Sequence, residues 1–175
     1  AHSEFGRVTR LLGFSAVWIA LAMSLYGIVA ATIGVTKQRA SWVASAFQAV
    51  YVNFALLTLA VAAMIYALVT HDFSVGYVAQ VGSRSTPLFY TIISLWGALE
   101  GSILFWGWVL TMYAAVVVWF NRSRPGGLVP WSAVALLTIC LFFFILLVGP
   151  ANPWHLVSPV PPDGPGPNPL LQNHI

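Results

Sequence analysis

Formal charge is distributed along this chain in a way that leaves few choices of fold. Residues 11–36, 40–70 and 125–162 carry none, and 85–121 carries one, at Glu100. About 20 apolar residues in a helix cross roughly 30 Å of hydrocarbon. Each interval is long enough, so the expected fold is an all-α membrane protein, a polytopic bundle of about four transmembrane helices. The crossings are expected near Leu11–Ile33, Phe47–Val69, Leu88–Phe120 and Leu128–Val148. The third run is too long for one upright crossing, and Pro87 at its start places its first turns in the interface or tilts it.

Composition agrees. Charged residues make up 6% of the chain, against about 25% in soluble domains, and 59% are hydrophobic. Mean hydropathy is +0.86. The seven basic residues form no patch able to track a phosphate backbone, which argues against nucleic acid as a partner. Cys140 is the single cysteine, so there is no disulfide framework and no Cys-x-x-Cys-His attachment motif.

Lys37 and Arg39 fall in the first connection, and Arg122 and Arg124 in the third. The positive-inside rule makes both cytoplasmic. The N-terminus, the loop after the second span and the C-terminal tail then face outward, although Arg7 and Arg10 run against this assignment. Trp42, Trp119, Trp131 and Trp154 stand near span boundaries and suit an aromatic belt. Residues 1–149 form the transmembrane domain. Residues 150–175 hold eight of the eleven prolines and are expected to be an extended external segment. The opening AHSEFGRVTR lacks a small-residue cleavage pattern, so the first run is taken as a retained span. An Ala at position 1 suggests a segment of a longer chain.

The stretch SLWGALEGSILFW carries the intramembrane acid. A charge at a helix centre costs about 2.5 kcal/mol or more. On a continuous helix Trp96 and Glu100 share a face, as do Gly97 and Gly101, with Ser94, Ala98 and Ser102 extending a ridge of small residues. Such a ridge serves helix packing around a satisfied Glu, or supports a functional carboxylate. The histidines form no ligand cluster, and His71 and His155 are most simply hydrogen-bonded interfacial side chains. No activated nucleophile, phosphate loop or paired carboxylates occur. Three classes stay open: a membrane platform serving an enzyme, a transporter segment with Glu100 as proton or ion relay, and a structural subunit.

Three segments then narrow the choice. HDFSVGYVAQVGSRSTPLFY resembles the D-F-S-x-x-Y-V-A loop of the CcmF/NrfE haem lyases of cytochrome c biogenesis. SLWGALEGSILFW resembles that family's W-G-x-x-E-G-S segment, and NPWHLVSPVPPDGPGPNPLLQ its stretch leading to a tryptophan-rich haem-handling region. The motif positions are Asp72, Tyr77, Trp96, Gly97, Glu100, Gly101, Ser102, Asp163 and Asn168. Leu99 stands where family members often have His.

The resemblance implies a multi-pass subunit of the bacterial inner membrane that works with haem. It would take haem from a haem-loaded periplasmic chaperone and deliver it to the Cys-x-x-Cys-His motif of apocytochrome c, alongside other maturation subunits. The family's haem ligands lie beyond this stretch, and none of the four histidines maps to them. Glu100 is expected to accept hydrogen bonds from a facing helix or from the loop carrying Asp72 and Tyr77.

Overall fold

A computed structural model describes residues 2–124 and 126–166. The described residues form helices α1 (His2–Thr36), α2 (Ala40–Val69), α3 (Gly76–Val81), α4 (Leu88–Ile93), α5 (Leu99–Asn121) and α6 (Leu128–Val148), with a 3₁₀ turn at Ser94–Trp96. Four of them, α1, α2, α5 and α6, are long and apolar enough to cross a membrane. At 1.5 Å per residue the 35 residues of α1 extend about 52 Å. Its length exceeds the hydrocarbon, so turns at its N-terminal end are free to meet other chain segments outside it.

The bundle is assembled by small side chains. Ala16, Ala20, Ala30 and Ala31 of α1, Ala46, Ala49 and Ala60 of α2, and Ala133 of α6 are all buried. In lipid no hydrophobic force draws apolar helices together, so close backbone approach and van der Waals contact must do so. Helix α1 packs on α2 and α6, and α5 packs on the same two. Two polar contacts join the first pair: buried Asn53 donates from Nδ2 to the Ser24 hydroxyl at 2.8 Å, and the Tyr26 and Ser45 hydroxyls share a hydrogen bond. Large apolar side chains such as Leu11, Trp18, Val29, Trp106 and Phe142 point outward, as a lipid environment requires.

Helices α1 and α2 both stop at a residue in the left-handed region, Gln38 and His71, each with φ of 53°. After α2 the His71 amide bonds Leu68 O at 3.1 Å and the Asp72 amide bonds Ala67 O at 3.0 Å. This pairing satisfies the last carbonyls of the helix and turns the chain sharply back.

The third apolar run differs from the expected Leu88–Phe120 crossing. It is divided into α4, the 3₁₀ turn and α5, with Ala98 extended at φ −138° and ψ 174°. Trp96 and Glu100 therefore do not share the face of one helix, nor do Gly97 and Gly101. Tyr77 serves the break: its hydroxyl bonds backbone groups that a continuous helix would pair internally.

Candidate functional site

At one end of the bundle, three stretches converge: the loop from Thr70 to Pro87, the break at Ser94–Ala98, and the tail from Gly149 onward. They belong to the bundle's own core. Phe73, Tyr77 and Val78 of the loop, Leu95 of the break and Trp154 of the tail are buried in one cluster with Ala16, Leu57, Met64 and Phe144 of the membrane helices.

The tail is bound to the loop in two places. Proline-rich chain cannot form a helix, so its backbone groups need partners elsewhere. Gly76 N–H donates to His155 O at 2.8 Å, Tyr77 N–H to Pro153 O at 3.3 Å, and Val157 N–H to Ser74 O at 3.2 Å. These flank an antiparallel bridge between Val75 and Leu156. Further along, the Asp163 carboxylate accepts from Arg84 N–H at 3.0 Å, Gly164 N–H at 2.9 Å and the Ser83 hydroxyl at 3.4 Å. The Arg84 amide does most to hold Asp163 below the usual carboxylate range. Gly166 N–H closes the attachment on Gly82 O at 3.1 Å.

The tail also grips α1. Arg10 donates from Nε to Trp154 O at 3.0 Å. The Trp154 ring lies over Gly13, where any Cβ would collide with it. Trp154 is 1% exposed, so it is a core residue rather than the boundary-belt side chain its position suggested. The other expected belt residues keep some exposure, with Trp119 at 56% and Trp131 at 46%.

Tyr77 organises the break. It is fully buried, with its hydroxyl 2.7 Å from Ser94 O, 2.8 Å from Leu95 O and 3.3 Å from Ala98 N. One proton serves either carbonyl, and the oxygen accepts from Ala98 N–H. Burial, reinforced by the nearby Glu100 charge, pushes the phenol well above its ordinary value, so it stays neutral and able to donate. Gly101 makes room for it: a Cβ there would strike the Tyr77 hydroxyl and Leu95 O.

Glu100 sits in the first turn of α5 rather than at mid-helix. The unpaired amides at a helix start favour a carboxylate by about 0.3–1 kcal/mol. The hydrogen bond expected from a facing helix or from the loop carrying Asp72 and Tyr77 does not reach Oε2, which is buried without a partner. Asp72 caps its own turn, with Oδ1 accepting from the Ser74 hydroxyl at 2.6 Å and Ser74 N–H at 3.2 Å. Its Oδ2 lies against Gly6 and, like Trp154 Nε1, is buried and unpartnered.

Trp96 is half-exposed, its ring tilted 40° to that of Phe105 at 5.2 Å, and its carbonyl accepts from the Ser102 hydroxyl at 2.9 Å across the break. Gly97 N–H closes the 3₁₀ turn on Ser94 O at 3.0 Å. Of the motif residues, Asp72, Tyr77, Trp96, Gly97, Glu100, Gly101, Ser102 and Asp163 thus lie on or beside this end, while Asn168 lies outside the described residues. Sequence reasoning missed Arg10, Gly13 and Trp154 as its anchors. The signal available was the Asn-Pro-Trp-His run in the tail.

His71 and His155 both bond backbone carbonyls. His71 Nε2 is 3.2 Å from Ser83 O and His155 Nδ1 is 3.0 Å from Asn152 O. Nε2 of His155 packs on Gly76. Among the described residues no three His, Cys, Asp or Glu gather as a metal site.

No family model matches the chain. It is 32% identical over 161 residues to the cytochrome c-type biogenesis protein ccl1 of Rhodobacter capsulatus, a match covering 92% of this chain and 25% of that protein. It is 34% identical over 164 residues to the cytochrome c-type biogenesis protein CycK of Rhizobium meliloti, covering 93% and 24%. The solved structure of a cytochrome c heme lyase CcmF superposes with a TM-score of 0.78 at 33% identity, over 84% of this chain and 25% of that one. The chain spans about a quarter of the length of the curated relatives it matches. On these likenesses, and on a fold shared with CcmF, the chain belongs to the CcmF/NrfE family of cytochrome c-type biogenesis proteins.

Proposed function

We propose that this chain is the N-terminal membrane portion of a haem lyase subunit for cytochrome c maturation. Its part is to present a fixed outer surface where haem passes from a periplasmic chaperone to the Cys-x-x-Cys-His motif of apocytochrome c. The observation that supports this is convergence. The loop, the helix break and the tail, each carrying a family motif, are joined by hydrogen bonds into one surface at a single end of the bundle. In this proposal that end, with the N-terminus and the tail, faces the periplasm across the bacterial inner membrane. The more basic end then faces the cytoplasm.

Haem chemistry belongs to the whole protein. In this proposal axial ligation falls to residues outside this segment: His155 Nδ1 and His71 Nε2 each lie within hydrogen-bond distance of a backbone carbonyl, of Asn152 and Ser83. The role proposed for this segment is to hold and orient. Asp72 Oδ2, Glu100 Oε2 and Trp154 Nε1 are buried without a hydrogen-bond partner in this segment. A relay role for Glu100 finds less support, because the acid begins α5 instead of lying midway along it.

The test is cytochrome c maturation in cells carrying the full chain with Glu100→Gln or Glu100→Leu, with protein abundance followed in parallel. Loss of holocytochrome with Leu but not with Gln assigns Glu100 a hydrogen-bonding role in the platform. Normal yield with both removes Glu100 from the function. Labelling a cysteine placed at exposed Val160 checks the orientation, and reaction only from the cytoplasmic side would overturn it.

A further inference from the structure

The opposite end of the bundle holds a feature outside the surface described above. A cavity of about 700 Å³ opens between the last turn of α1, the first turns of α2 and the connection from α5 to α6. That volume falls within the roughly 300–1,000 Å³ typical of small-molecule sites. Gln38, Phe47, Tyr51, Arg122, Ser123 and Pro130 are among the residues lining it.

Two features of the wall suit an anion. The Tyr51 hydroxyl is buried without a hydrogen-bond partner, leaving a donor to be satisfied. Arg122 rests with its guanidinium carbon 4.3 Å above the Trp119 ring, and Trp119 meets Tyr51 edge-on at 6.3 Å. Stacking on its flat face holds the guanidinium while leaving its N–H fork open to oxygen ligands.

Among the described residues no acidic side chain lies at this end to neutralise the positive charge. Lys37, Arg39, Arg122 and Arg124 lie at this end, giving +4. All four acids, Glu4, Asp72, Glu100 and Asp163, lie at the other, where Arg7, Arg10 and Arg84 leave −1; the two sum to the chain's +3.

We propose that this cavity binds the phosphodiester headgroup of an anionic membrane phospholipid. Arg122 takes two phosphate oxygens through its fork, Tyr51 donates to a third acceptor, and Ser123 hydrogen-bonds the polar headgroup. A free phosphate presents the same oxygens. The lipid is favoured because the cavity lies at the ends of membrane-crossing helices and part of its wall is apolar, Phe47 and Pro130 included. Basic pockets between helix ends commonly hold such headgroups.

Native mass spectrometry of the full chain in detergent, offered equal dioleoylphosphatidylglycerol and dioleoylphosphatidylcholine, tests the proposal. The expected result is about tenfold more phosphatidylglycerol bound. Arg122→Gln should lower that preference at least fivefold and Tyr51→Phe about threefold, while Lys37→Gln, outside the lining, changes it less than twofold. Melting curves of each variant confirm that the bundle is intact. Equal binding of the two lipids would overturn the proposal. So would a Lys37→Gln loss as large as that of Arg122→Gln, which would mean diffuse attraction. Displacement of the lipid by millimolar inorganic phosphate would assign the cavity to a soluble anion instead.

Discussion

Arg10 and Trp154 are 144 positions apart in sequence, yet the guanidinium Nε of one donates to the carbonyl of the other at 3.0 Å. The bond ties the start of the first membrane helix to the start of the tail. Removing the donor with Arg10→Met should cost about 1.5–3 kcal/mol of that attachment, the range for hydrogen bonds to charged groups. Chymotrypsin can report it, because Trp154 is cleavable only when its buried ring leaves Gly13. Cleavage after Trp154 should rise about tenfold per 1.4 kcal/mol lost, and an unchanged rate would show that the contact contributes nothing.

Tyr77→Phe keeps the buried ring and deletes the hydroxyl that serves Ser94 O, Leu95 O and Ala98 N. Orphaned buried backbone groups cost about 1–3 kcal/mol. A lowered melting temperature in detergent is expected, together with faster hydrogen exchange at Ala98. Unaltered exchange there would mean the break persists without the phenol.

Two glycines of α5 should respond in opposite directions to alanine. At Gly101 the new methyl meets Leu95 O and the Tyr77 hydroxyl, one of them backbone that cannot swing aside. At Gly107 its nearest neighbours, Phe143 Cβ and Phe144 Cε1, stand 3.8 Å away. Gly107→Ala should therefore stabilise by about 0.4–1 kcal/mol through reduced unfolded-state freedom, whereas Gly101→Ala destabilises. Thermal melts of the two variants side by side decide the matter.

The Asp163 attachment should depend on pH. Its folded value is depressed, chiefly by the Arg84 amide, so its contribution is present above the ordinary carboxylate value of 3.8 and is lost as pH falls through the folded value below that. A fluorophore at Val160 should report release of the tail in that acid window. Asp163→Asn should remove the pH dependence, and a variant that still titrates identically would assign the effect to another group.

Much of the architecture was legible because lipid imposes a simple demand: a segment without charge and long enough to cross must pair its backbone internally. The runs that became α1, α2 and α6 announce themselves this way. The break before α5 does not, since nothing in SLWGALEG forbids a helix as proline would. It is served by a hydroxyl supplied by Tyr77, 17 and 18 residues before the carbonyls it meets. Trp154 misled for the same reason. Its position near a span boundary suited a belt, but its surroundings are set by Gly13 on a distant helix. Glu100 was recognisable as unusual, yet its place at a helix start became visible only with the break.

The sorting of ionic side chains, +4 at one end of the bundle and −1 at the other, also makes the molecule an electric dipole lying along the bilayer normal. A resting membrane potential, negative inside, acts on that dipole by about 2.3 kcal/mol per elementary charge per 100 mV. An energised membrane would thus favour insertion with the cation-rich end inward, and a depolarised one would leave that preference to the loops alone.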